Sequence, residues 1–244
     1  MTAVGILFLH AFPLDARMWA PQRAAFARET KVVAVNLPGF GGTAPAGQVM
    51  TMEAAAEKAA VAARRAGLQR AVVCGLSMGG YVALALWRQD PSLVAGLVLA
   101  NTRADADDEP ARERRKALAG RLEAEGNGFL AASPPPLLSD GAPPALLARV
   151  KATIAAQPAA SIAAAARGMA VRPDSTPDLK RIAVPTLVIT SSNDTLIPPA
   201  ITRQLADGIK GARFETIEGA GHLSNLEAPE AFKALLRAHL ARVR

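Results

Sequence analysis

The stretch AVVCGLSMGG, residues 71–80, constrains the chain more than any other. Its first residues are apolar and largely β-branched, as in a buried strand. After Gly80, the apolar residues Tyr81, Val82, Leu84, Ala85, Leu86 and Trp87 return at helical spacing. Between them lies Gly75-Leu76-Ser77-Met78-Gly79, the G-x-S-x-G pattern of a nucleophile held on a sharp strand-to-helix turn. Glycines at 75 and 79 have no Cβ, so the turn can close and the helix can pack back on the strand. Ser77 would then stand at the carboxyl edge of a sheet. The Met78 N–H would lie beside it at the positive end of a helix.

A turn of this kind needs a parallel sheet, and the rest of the sequence supplies one. Apolar runs at 4–9, 31–37, 71–74, 93–100, 185–190 and 212–217 read as strands. Helical patterns at 17–28, 51–66, 199–209 and 229–243 alternate with them. Thr51 is placed to cap its helix and Gly67 to end it. Strands alternating with helices predict an α/β fold, a mostly parallel sheet with helices on both faces and right-handed crossovers. Residues 103–180 interrupt the alternation. They hold predicted helices at 109–125, 144–156 and 159–170, joined by Ser133-Pro134-Pro135-Pro136 and Gly141-Ala142-Pro143. Inserted after the carboxyl end of a strand, this segment reads as a helical lid on a core of residues 1–102 and 181–244. Phe129, Leu137, Leu138 and Met169 are its candidate pocket walls.

Composition excludes several classes. The formal charge is +7, but the basic residues are scattered, and the densest run, 112–116, is interleaved with Glu109 and Glu113. There is no basic–aromatic stripe and no zinc-finger spacing, so nucleic acid is not an expected partner. Cys74 is the single cysteine, which rules out an internal disulfide, suits a reducing compartment and reads as a small buried strand residue. The apolar run at 4–12 lacks a basic leader and a cleavage site, and no run is long enough to span a bilayer. A cytoplasmic location and no membrane partner are expected. Gly39-Phe40-Gly41-Gly42-Thr43-Ala44 matches a dinucleotide fingerprint, but Pro45 and Gly47 deny it the helix that must open on the loop. No cofactor or metal is expected.

A serine hydroxyl needs a base, and the base needs an orienting acid. Of the three histidines, His239 lies in the polar carboxyl-terminal helix and reads as a surface residue. His222 sits in Gly219-Ala220-Gly221-His222-Leu223-Ser224-Asn225, just past the last strand. Asp194, in Ser191-Ser192-Asn193-Asp194-Thr195, follows the strand before it. The order Ser77, Asp194, His222, each just beyond a different strand, is that of a Ser-Asp-His hydrolase. Asn101 occupies the other strand end where an acid could sit, which favours Asp194. Met78 N–H is one oxyanion donor, and Phe12 N–H is nominated as the second, with His10 bracing that loop. Arg172 is read as an ion-pair partner of Asp174, or else as a receptor for a substrate carboxylate.

With these motifs assembled, the chain resembles the α/β-hydrolase family over essentially its whole length. Met18-Trp19-Ala20-Pro21-Gln22, Gly75 to Gly80, Leu99-Ala100-Asn101-Thr102 and Gly221 to Glu227 are similar to 3-oxoadipate enol-lactonases and small carboxylesterases. The family's His-Gly oxyanion loop appears as His10-Ala11-Phe12. Two amino-terminal strands common in the family are not seen, so a sheet of about six strands is expected. The resemblance implies hydrolysis of carboxylic esters or lactones of small substrates through an acyl-enzyme. C–C bond hydrolysis, perhydrolysis and a non-catalytic binding role on the same fold are the alternatives. Ser77 at the elbow argues against a haloalkane dehalogenase, which would carry Asp there. Oligomeric state is not legible.

Overall fold

In the computed structural model, which describes residues 4–243, six parallel strands form one sheet. They are β1 (Gly5–Leu9), β2 (Val32–Val35), β3 (Ala71–Leu76), β4 (Val94–Ala100), β5 (Thr186–Ser191) and β6 (Arg213–Ile217), in the order β2-β1-β3-β4-β5-β6. The sequence explains the order. β1, β3 and β4 are unbroken apolar runs buried along their whole length, as central strands covered on both faces must be. β2 and β6 are the edges, and β6 carries Arg213, Glu215 and Thr216 where one side meets water.

Right-handed crossovers put α1 (Ala20–Phe26) on one face and α2 (Met52–Arg65), α3 (Met78–Gln89) and α8 (Pro199–Asp207) on the other. α10 (Pro229–Val243) returns to the first face and packs on α1. There Trp19 is sandwiched between Phe8 of β1, ring centroids 4.6 Å apart, and Phe232 of α10 at 5.7 Å. Gln22 of α1 donates across to the Asn225 carbonyl at 2.8 Å. Among the described residues no helix is long and apolar enough to cross a membrane.

Local chemistry sets the element ends. Thr51 caps α2 by accepting from Ala54 N at 3.1 Å. The helix expected at 17–28 starts instead as a 3-10 turn, Ala16–Trp19, capped by Asp15 through Arg17 N. The α-helix begins only at Ala20, where Pro21 fits because it has no N–H to leave unpaired.

Between β4 and β5 lie α4 (Glu109–Glu125), α5 (Gly128–Ala132), α6 (Pro144–Ala155) and α7 (Ala159–Ala170). α4 packs along α7, and α5 against α6. This layer is tied to the core by Gln157, between α6 and α7. Its amide donates to Asp15 Oδ2 at 2.8 Å, and its oxygen accepts from Gly41 N at 2.9 Å.

Candidate active site

The turn between β3 and α3 is built by steric exclusion. A Cβ on Gly75 would fall 2.1 Å from the Gly79 carbonyl oxygen, and one on Gly79 would fall 2.1 Å from the Leu9 carbonyl oxygen. Neither position admits a side chain. Ser77 between them has φ +57° and ψ −119°, a conformation that costs an L-residue of order 1–3 kcal/mol. The surroundings hold it there: Ser77 N donates to Ala100 O at 2.9 Å, and Thr102 Oγ1 donates to Ser77 O at 2.9 Å. Both partners stand at the carboxyl end of β4.

Asp194 lies just past β5 and is buried. Its Oδ1 accepts from Leu196 N and Ile197 N, each at 3.0 Å. Its Oδ2 accepts from His222 Nδ1 and Asn101 Nδ2, each at 2.9 Å. Burial alone would raise this carboxyl's pKa, but the His222 and backbone hydrogen bonds outweigh it and hold the pKa below the ordinary carboxylate value. An ionised carboxylate accepts only, so His222 Nδ1 is the donor in this pair, and it is the neutral Nδ1–H tautomer that leaves Nε2 with a free lone pair. Ser77 and His222 line the same cavity, with no hydrogen bond between them among the described residues. Such contacts are often long before substrate binds and tighten afterwards.

Asn101 does more than leave room for an acid elsewhere. It is fully buried at φ +46°. Its amide donates to Asp194 Oδ2 and to Ser191 Oγ at 2.6 Å, and its oxygen accepts from Ser224 Oγ at 2.6 Å. Ser191 Oγ in turn donates a hydrogen bond to the Gly221 carbonyl. The ends of β4 and β5 and both sides of the His222 loop thus share one buried network. Its only sequence signal is Asn directly after an apolar strand.

Phe12 lines the cavity across from the elbow, and Met78 N opens α3, where the first N–H groups have no intrahelical acceptor. His10 is fully buried, with both ring nitrogens spent on backbone. Nε2 accepts from Leu37 N at 3.0 Å, and Nδ1 donates to Ala11 O at 3.0 Å. Burial pushes its pKa down to about 4, so it is a neutral strut between the β1 and β2 loops. His239 corrects the sequence reading. It is 1% exposed, not on the surface, and its Nε2 lies 3.4 Å from where a Gly96 Cβ would be, near the amino end of β4 and away from the elbow. The missing side chain at Gly96 makes that space.

The cavity measures about 350 Å³, within the range of small-molecule sites. Tyr81, Leu118, Leu137, Met169, Leu196 and Ile197 give it apolar walls, and Arg103, Arg114, Arg115 and Asp107 a charged side. Of the four residues expected as pocket walls, Leu137 and Met169 are among those lining this cavity. Phe129 and Leu138 do not line it. Phe129 packs under the Arg121 guanidinium at 3.8 Å, and Leu138 faces a neighbouring hollow. Arg172 pairs with neither Asp174 nor open solvent. It bonds Asp107 at 2.6 Å and stacks on Tyr81 at 4.3 Å, while Asp174 accepts from Thr176 N. Its charge is therefore spent within the helical layer. Among the described residues no three His, Cys, Asp or Glu side chains are placed to hold a metal.

Comparison with known proteins narrows what such a site is. A sequence model of the alpha/beta hydrolase family matches residues 6–235. The chain is 30% identical over 234 residues to 3-oxoadipate enol-lactonase 1 of Acinetobacter baylyi, covering 94% of this chain and 86% of that one. Among solved structures, a thermophilic esterase from Thermogutta terrifontis, with malate bound, superposes with a TM-score of 0.95 at 38% identity, covering 99% of this chain and 91% of the other. The enol-lactonase from Burkholderia xenovorans LB400 gives 0.89 at 28% identity, covering 99% and 92%.

Proposed function

The chain belongs to the alpha/beta hydrolase family, and we propose that it hydrolyses carboxylic esters or lactones of small substrates with Ser77 as nucleophile, His222 as base and Asp194 as orienting acid. One observation carries the reading. Ser77 and His222, from two different strand ends, face one cavity, and the imidazole is bonded through Nδ1 to a carboxylate from a third. The esterase and enol-lactonase relatives support the substrate class.

In the proposed reaction Ser77 Oγ attacks the ester carbonyl while His222 Nε2 takes its proton. The Phe12 and Met78 N–H groups receive the oxyanion, and losing one such donor typically costs about 10²–10³ in turnover. Asp194, held ionised by its four hydrogen bonds, fixes the Nδ1–H tautomer and stabilises the imidazolium that forms. The imidazolium gives its proton to the leaving alcohol oxygen as the C–O bond breaks. In a lactone that oxygen stays attached to the acyl group. Water then attacks the acyl-enzyme, His222 again taking the proton, and Ser77 is released with the carboxylic acid. The helical layer is proposed to act as a lid, because α4, the residues before α6, and α7 supply walls of the cavity.

The test is hydrolysis of p-nitrophenyl esters from acetate to octanoate by wild type and Ser77→Ala. Alanine keeps a Cβ at the strained position, so the fold is conserved while the nucleophile is lost. Turnover should fall by about 10⁴–10⁶. Equal rates in the two proteins refute the assignment.

A further inference from the structure

The two residues that flank His222 are both tied to one segment of the helical layer. On one side Leu223 N donates to the Leu137 carbonyl at 2.9 Å. On the other, Gly221 N donates to Glu227 Oε1 at 2.9 Å. The second oxygen of that carboxylate accepts from Ser139 N at 3.1 Å and from Ser139 Oγ at 2.5 Å. The approach is so close that a Cβ on Gly221 would lie 2.4 Å from Ser139 N and 2.7 Å from the Leu138 carbonyl carbon.

The segment is a strap, residues 133–139, stiffened by Pro134, Pro135 and Pro136. Pro135 and Leu137 line the cavity that holds Ser77 and His222. Its other side lines a second hollow of about 390 Å³. The strap is therefore the partition between two spaces, and among the described residues its polar side-chain anchor to the His222 loop is Glu227. α9 (Ser224–Glu227) brings that carboxylate back to Gly221, one short helical turn after the histidine.

We propose that Glu227 is a positioning residue that locks the strap onto the His222 loop. One carboxylate then sets both the place of the imidazole and the inner wall that limits the acyl chain. The inference rests on His222 being the base. The chemistry asks for a carboxylate. Three donors converge on two oxygens, and a glutamine has one acceptor oxygen, so its amide would meet either Gly221 N–H or Ser139 N–H donor to donor. Aspartate is one methylene too short to span the gap.

The experiment uses the full chain as wild type, Glu227→Gln, Ser139→Ala and the double variant, with two readouts. Hydrogen–deuterium exchange by mass spectrometry should show residues 133–139 and 219–226 losing protection together in Glu227→Gln, with the central strands unchanged. On p-nitrophenyl acetate kcat should fall about tenfold. The octanoate-to-acetate ratio of kcat/KM should rise at least threefold as the wall loosens. The double variant should be no worse than Glu227→Gln, because both changes cut one link. A residue that merely supported the fold would lower stability without moving the chain-length ratio. The proposal is overturned by a wild-type ratio in Glu227→Gln, by exchange confined to one segment, or by losses that multiply in the double variant. If Ser77→Ala hydrolyses as fast as wild type, the serine mechanism fails instead, and the exchange result still decides whether the strap is locked.

Discussion

His10 and His239 make the stability of this protein depend on pH in a window where carboxylates are silent. Both are buried, and both have pKa values pushed down to about 4 from the ordinary 6.5. For His10 the cause is burial. For His239 it is burial reinforced by the positive charges of Arg213 and Arg242. The folded pKa lies below the unfolded one, so the unfolded chain takes up protons first. Stability is full above about pH 6.5 and is lost as pH falls towards 4. Between pH 7 and pH 5 each histidine should cost about 2 kcal/mol, and the two together about 4 kcal/mol, out of the 5–15 kcal/mol typical of a domain. The buried carboxylates with lowered values, such as Asp107 and Asp194, begin to count only below this window. The assay is guanidinium unfolding at pH 7 and pH 5 for wild type and His239→Gln. Whatever the glutamine does to stability at both values, the drop between them should shrink by about 2 kcal/mol. An unchanged drop would show that His239 takes up no proton on unfolding in this range, and the argument from its burial would be wrong.

Other outcomes follow from the same geometry. Asn101→Ala removes a hydrogen bond to the Asp194 carboxylate and strands Ser224 Oγ, so kcat on p-nitrophenyl esters should fall about tenfold, with KM changing less. An unaltered kcat would mean that the network is idle. Gly79→Ala puts a methyl 2.1 Å from the Leu9 carbonyl in the middle of the sheet, and circular dichroism should show a fall in Tm of well over 5 °C or no folded protein. Arg114 lines the cavity with no carboxylate partner among the described residues, whereas Arg103 pairs with Asp105 and Arg115 with Asp107. Monomethyl glutarate should therefore be preferred over its neutral isostere, methyl 5-methylhexanoate. That preference should drop severalfold in Arg114→Gln and on raising salt from 0.05 to 0.5 M. A ratio insensitive to both would exclude a charge contact.

How much of this is legible in the sequence depends on the range of the interaction that sets it. Each buried strand declares itself by an apolar run, and the Ser77 elbow by its glycine spacing, although only the Gly75 requirement is local: the atom that excludes a side chain at Gly79 belongs to Leu9 on β1. Thr51 and α2 are legible because the cap is local too. Asp194 and His222 can be placed because each follows its strand by a short loop. What fails is whatever depends on a distant partner. His239 looks polar and exposed along its helix, and only the hollow above Gly96 buries it. Arg172 lies two residues from Asp174 but reaches Asp107 across the helical layer. Phe129 and Leu138 are as apolar as Leu137, and nothing in the sequence says which face of a proline-rich strap meets the cavity. α5 and α9 are too short for a period to show. Asn101 reads as a mere absence of acid, because its three side-chain partners, Ser191, Asp194 and Ser224, come from two other segments.

The packing of Trp19 between Phe8 and Phe232 has a consequence for how the chain is made. β1 is an interior strand, yet the helix that closes the face above it is synthesised about two hundred residues later. Gln22 likewise waits for Asn225. During translation the strand-helix units from β1 to β5 can assemble in turn, but one side of the sheet keeps a large aromatic surface open to water until α10 leaves the ribosome. Nascent chains stalled before Phe232 should accordingly be held by chaperones or aggregate, while emergence of α10 covers that face in a single late step.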